Sequence, residues 1–97
     1  MKTRADRLAA VLRQQFAPDL LRVDDESARH AGHAGAAPGG ETHYSVLIVS
    51  AAFRGESRVA RSRRVYAALG DELAGGLHAL ALNLRTPEEH AALAKAC

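Results

Sequence analysis

The chain has 97 residues, 47% hydrophobic and 25% charged, which fits one ordinary globular domain and excludes a chain disordered throughout. Thirteen Lys and Arg against eleven Asp and Glu leave a net charge of only +2. One cysteine, Cys97, excludes an internal disulfide framework and a Cys-rich zinc finger, and no apolar run approaches the ~20 residues of a membrane helix. The start lacks the charged, apolar and cleavage-site order of a secretory leader. A reducing compartment is therefore expected, most simply the bacterial cytoplasm. Arg outnumbers Lys and Ala is abundant, the bias of a GC-rich genome, which carries no information about activity.

Residues 3–16 read as a helix. Thr3 with Asp6 three residues on is an N-cap pattern, and Leu8, Val11, Leu12 and Phe16 share one face. Pro18 ends it. Leu20-Leu21-Arg22-Val23-Asp24-Asp25 then reads as a short strand. Residues 26–42 carry Gly32, Gly35, Pro38, Gly39 and Gly40 without periodicity and read as a loop. A loop of that length in a small domain is uncommon and is often functional or mobile. Residues 43–52 read as the best strand. Tyr44, Val46 and Ile48 alternate with Ser45, Leu47 and Val49, and both faces are mostly apolar, which predicts a central position.

Phe53 to Ser57 reads as a turn, and residues 58–74 as helical with Val65, Tyr66, Leu69 and Leu73 on the apolar face. Asp71 and Glu72 then fall late in that helix, where its dipole disfavours acids. Gly75-Gly76 stops it. Leu77 to Leu84 reads as a strand between the double glycine and Thr86-Pro87. Thr86-Pro87-Glu88-Glu89 is a strong helix start for residues 87–96. The first two strands should pair antiparallel across the loop, and the second and third should be parallel through the helical crossover. The sum is a two-layer α+β domain over residues 1–97, with helices covering one face of a three-stranded mixed sheet.

Five histidines are the unusual feature: His30, His33, His43, His78 and His90. His30 and His33 flank Ala31-Gly32 in the loop and read either as solvated residues or as ligands. His43 opens the central strand as a surface or edge residue, and His90 reads as solvated. His78 begins the third strand on the face of Leu80, Leu82 and Leu84. It is either a half-buried residue satisfied by a carbonyl or a metal ligand. Two imidazoles do not fill a tetrahedral site, so a metal held here needs a partner's ligands. No GxSxG elbow frames a serine. Asp24-Asp25-Glu26 reads as a solvated strand end, and Cys97 as an incidental thiol. Residues 54–64, RGESRVARSRR, hold five Arg and one Glu. Arg54, Arg58, Arg61, Arg63 and Arg64 could meet phosphates or form a solvated helix face. Aromatics at 4% leave almost no base-stacking platform.

The chain resembles the BolA family over roughly residues 4–93. The resemblance is carried by Phe53-x-Gly55, Arg61-x-Arg63, Val65-Tyr66-x-x-Leu69, Glu72-Leu73, His78-Ala79-Leu80 and Thr86-Pro87-Glu88. The first half agrees, with an amphipathic helix, a short strand, a His- and Gly-containing loop and Glu41-Thr42-His43-Tyr44. The resemblance implies an αββααβα order akin to class II KH domains. It also implies a non-enzymatic protein that pairs with a monothiol glutaredoxin and shares a [2Fe-2S] cluster. The partner and glutathione would give thiolates, His78 would give an imidazole, and a loop histidine the second, His33 before His30. Imidazole in place of thiolate raises a cluster's potential, and protonation makes such a ligand labile. A homodimer and a zinc-responsive adaptor are the further forms considered. The competing reading is a DNA-binding transcriptional regulator using Arg58, Arg61, Arg63 and Arg64. Ser62 departs from the His or Gln often found between the paired arginines of the family.

Overall fold

The computed structural model describes residues 3–26, 43–77 and 79–96. Helix α1 spans Arg4–Phe16 and starts in the capping box read from the sequence. Thr3 Oγ1 accepts from the Asp6 N–H at 3.2 Å, and the Thr3 N–H donates to Asp6 Oδ2 at 3.0 Å. Leu8, Leu12 and Phe16 are buried along its inner face. Ala17 ends the helix in the left-handed region at φ 43°, immediately before Pro18.

Strands β1 (Leu20–Asp25), β2 (His43–Val49) and β3 (Ala79–Arg85) form one sheet in the order β1-β2-β3. β2 is central, antiparallel to β1 and parallel to β3, as its apolar faces predict. Tyr44, Val46 and Ile48 point into the helices and are buried. Leu80, Leu82 and Leu84 of β3 and Leu21 and Val23 of β1 pack against the same core. On the other face Leu20, Arg22 and Asp24 of β1 and Ala79, Ala81 and Asn83 of β3 are exposed.

Three boundaries differ from the sequence reading. β2 stops at Val49 rather than running to residue 52. Ser50 is buried, its Oγ donating to Phe16 O at 2.6 Å and accepting from the Ala52 N–H at 3.1 Å. This starts a 3₁₀ turn, Ala51–Phe53, that places Phe53 in the core beside Phe16, ring centroids 5.1 Å apart. The helical stretch 58–74 divides into α2 (Arg58–Ala68) and α3 (Gly70–Ala74), hinged at Leu69 with φ −100° and ψ 17°. Asp71 and Glu72 thereby sit in the first turn of α3, where the helix dipole favours them, and not in the last turn of one long helix. β3 begins at Ala79 and not at Leu77, because Leu77 is buried in the core cluster and its N–H donates to Glu72 O.

Helix α4 spans Pro87–Ala96. Its capping box is also as read: Thr86 Oγ1 accepts from the Glu89 N–H, and the Thr86 N–H donates to Glu89 Oε1 at 2.8 Å.

Candidate functional site

The sheet brings three chain ends to one edge. His43 opens β2 in register with Ala79, the first residue of β3. The Glu26 N–H donates to His43 O at 2.7 Å, extending the β1–β2 ladder past Asp25. The chain therefore leaves β1 at Glu26, re-enters β2 at His43 and enters β3 at Ala79, all at the same end of the sheet. His30, His33 and His78 lie outside the described residues. Among the described residues no group of three or more His, Cys, Asp or Glu side chains could hold a metal ion.

The approach to β3 is braced. Arg4 Nε donates to Glu72 Oε1 at 3.0 Å, and Arg4 Nη2 to Gly75 O at 3.0 Å. Arg7 Nε and Nη2 take the two Glu72 oxygens at 3.0 and 3.1 Å. The two guanidiniums, Arg7 first, hold the Glu72 carboxyl below its ordinary pKa. Gly76 then adopts φ +118°, a conformation that a side chain resists, and its Cα faces the Arg4 guanidinium. The sequence gives no warning of this brace: Arg4 and Glu72 are ordinary surface residues until the fold brings α1 against α3.

The basic stretch divides by burial. Arg61, read as a phosphate contact, is 6% exposed. Its guanidinium donates to Glu89 through Nη1 at 2.6 Å and Nη2 at 3.2 Å, to Leu84 O at 3.0 Å and to Glu56 O at 3.0 Å. It also lies over the Phe53 ring. Arg61 therefore joins α2, β3 and α4, with four of its five N–H donors committed inside the fold. Glu89, favoured by Arg61 and then by Thr86, has its pKa lowered to about 2.

Arg64 donates to Glu56 and to Ala52 O, and Arg54 binds Glu88 with two hydrogen bonds. Arg58 and Arg63 are exposed and form no ion pair among the described residues. Of the four proposed phosphate ligands, Arg61 and Arg64 are committed to acids and, among the described residues, Arg58 and Arg63 are not. Val59 and Tyr66 are exposed on the same helix. His90 is half-buried, with Nδ1 3.3 Å from Arg85 Nη1, rather than simply solvated.

This α1–β–β–α–α–β–α arrangement, with one mixed sheet covered on one face, is the architecture of BolA domains. The chain belongs to the BolA-like protein family, which matches residues 12–89. It is 45% identical over 78 residues to BolA-like protein 1 of Pongo abelii, covering 80% of this chain and 54% of that protein. It is 40% identical over 78 residues to a Haemophilus influenzae protein named DNA-binding transcriptional regulator BolA, covering 80% of this chain and 72% of that one. The solved BolA domain of SufE1 from Arabidopsis thaliana superposes with a TM-score of 0.81 at 44% identity, covering 92% of this chain and 98% of that domain. The chain spans about half the length of BolA-like protein 1 and 24% of the whole SufE-like protein 1. Among the described residues no helix is long and apolar enough to cross a membrane.

Proposed function

We propose that this protein is a non-enzymatic cytoplasmic partner of a monothiol glutaredoxin and shares a [2Fe-2S] cluster with it in cluster trafficking or iron and redox signalling. His78 would hold one iron together with one loop histidine, His33 before His30. The observation that carries this is the register of the sheet. Ala79 lies opposite His43, and His43 O accepts from Glu26 N–H. The two ends of the segment containing His30 and His33, Glu26 and His43, and the residue after His78 therefore lie at the same end of the sheet, with His43 directly opposite Ala79. Family membership is the second support.

The donor chemistry fits a shared group. Two imidazoles from this chain leave two positions for thiolates of the glutaredoxin and glutathione. The cluster would supply one-electron chemistry, and the two histidines would hold it as an exchangeable, acid-labile ligand pair. This chain's own part would be to give the two imidazoles, with Arg4 bracing Glu72 and Gly75 in the turn that precedes His78. The test is anaerobic co-purification with the monothiol glutaredoxin and glutathione, recorded by visible absorption and circular dichroism. The cluster spectrum should change when this protein is added and revert with His78→Ala and with one of His33→Ala or His30→Ala. Absence of association and of spectral change removes the proposal. Zinc in place of iron on metal analysis would turn the reading to a zinc-responsive adaptor.

A second reading, DNA binding, is favoured by the uncommitted charges of Arg58 and Arg63 and by the name of the Haemophilus influenzae relative. Its cationic set is smaller than the sequence suggests, because Arg61 and Arg64 are bound within the fold.

A further inference from the structure

The outer edge of β3 offers a surface distinct from the histidine end of the sheet. Among the described residues β3 pairs only with β2, and no strand of theirs lies beside its other edge. The Ser50 N–H donates to Arg85 O, which turns the main chain of Arg85 toward β2. Main-chain direction alternates along a parallel strand, so Leu80, Leu82 and Leu84 present their N–H and C=O groups outward. The contact of Arg61 Nη1 with Leu84 O, made from the open side, agrees. No other hydrogen bond reaches the outward groups of Leu82 and Leu84 among the described residues. An unpaired row of this kind is a template for another strand.

The edge opens into a groove of about 670 Å³ between α2 and α4. Its lining draws on both faces of the strand, Leu82 and Leu84 from one and Asn83 and Arg85 from the other, so it follows the edge. Ala92 and Leu93 give it an apolar wall, and Leu93 is 48% exposed. Arg58 and Ser62 form the α2 wall. Beyond it Val59, 59% exposed, and Tyr66, 42% exposed, continue the apolar surface with Arg63 between them.

We infer that this groove binds an extended acidic segment of a partner protein, added to β3 as a fourth strand. Charge selects this occupant. The acids on the α4 side, Glu88 and Glu89, are neutralised by Arg54 and Arg61, whereas Arg58 and Arg63 meet no acid among the described residues. The free charge at the groove is therefore positive. A second copy of this chain would set Arg58 and Arg63 against their own kind, which costs association. A nucleic acid would find a main-chain edge and leucines where it needs cations and stacking faces. Strand addition uses both features, main-chain hydrogen bonds for affinity and alternate side chains for selectivity. Leu82 to Arg85 lie several residues along β3 from Ala79, at ~3.3 Å per residue, so the groove and the histidine end can be occupied separately.

The test is titration of the ¹⁵N-labelled full chain with a short synthetic peptide of alternating valine and glutamate. The Leu82 and Leu84 amide signals should shift and gain protection from exchange. Binding should weaken by about tenfold or more in Arg58→Glu/Arg63→Glu and with a fully N-methylated peptide, a change of about 1.4 kcal/mol. A valine–lysine peptide should bind more weakly than the glutamate peptide. Any of five results overturns the inference: no binding, indifference to N-methylation, shifts confined to the His43 end, self-association that closes the edge, or an oligonucleotide that outcompetes the peptide there. The arginine changes lie on the exposed face of α2, and the N-methyl groups are on the peptide, so neither control depends on a disrupted core.

Discussion

Arg61 and Glu89 face each other across α2 and α4 in a two-pronged ion pair, and the same guanidinium caps the Leu84 carbonyl at the end of β3. A residue in the most basic stretch of the chain is thus a structural joint between three elements. Planar, bidentate geometry makes it an arginine's task that lysine cannot reproduce.

This pair makes stability depend on acid. The Glu89 pKa is lowered to about 2, so folding favours the carboxylate. The stabilisation is fully present above the ordinary carboxylate pKa of about 4.3 and is lost as pH falls toward about 2. Glu72, held down by Arg7 and Arg4, acts in the same direction. Urea unfolding of the protein and of Glu89→Gln should differ at neutral pH and converge in acid. A gap that persists below pH ~2 would show that Glu89 contributes by packing and not by charge.

Removing Arg61 removes partners from two main-chain carbonyls as well as from Glu89. Arg61→Ala should cost about 2–3 kcal/mol. Arg58→Ala, on the exposed face, should stay within about 0.5 kcal/mol. Urea denaturation of the two variants side by side measures the contrast.

Ser50 ends β2 by bonding Phe16 O and the Ala52 N–H at once. Ser50→Ala leaves a buried carbonyl without its donor and should cost about 1–3 kcal/mol, read as a lower urea midpoint with an unchanged slope. Ser50→Thr should retain the hydroxyl yet add a methyl beside Phe16, and so lie between the two.

Gly76 holds φ +118° at the entry to β3. Gly76→Ala meets no severe contact, since the nearest atom to an added Cβ is 3.6 Å away. Its cost is therefore backbone strain, about 1–3 kcal/mol, measured by thermal unfolding.

The DNA reading yields a salt test. If Arg58 and Arg63 each meet one phosphate, replacing both by alanine should reduce the slope of log K against log salt by about 2 on duplex DNA. A flat dependence for the unaltered protein removes that reading.

Much of the fold was legible because its signals are local. Thr3–Asp6 and Thr86–Glu89 are capping boxes written into four residues each, and the apolar alternation of β2 predicted its central place. The break at Leu69 was not legible, because Leu69 still lies on the apolar face and Gly70 is a mild signal within a helical pattern. The end of β2 was hidden for a different reason: Ser50 turns the chain through Phe16, a residue far away in sequence. The basic stretch shows the limit most clearly. Five arginines look alike in sequence, and only the approach of α4 decides that Arg61 is buried and Arg58 is not. Of the candidate site, register fixes only His43 opposite Ala79, since His30, His33 and His78 lie outside the described residues.

The central place of β2 also governs how the chain must be assembled. β1 and β3 never touch, and every ladder runs through β2. The parallel ladder cannot close until α2 and α3 have been made and folded back, so its contacts form across a long stretch of chain and late in folding. A nascent chain that has emerged only as far as α3 therefore carries Tyr44 to Val49 with one edge bare. That interval, before β3 is synthesised, is when the protein is most exposed to strand-to-strand aggregation and most dependent on a chaperone.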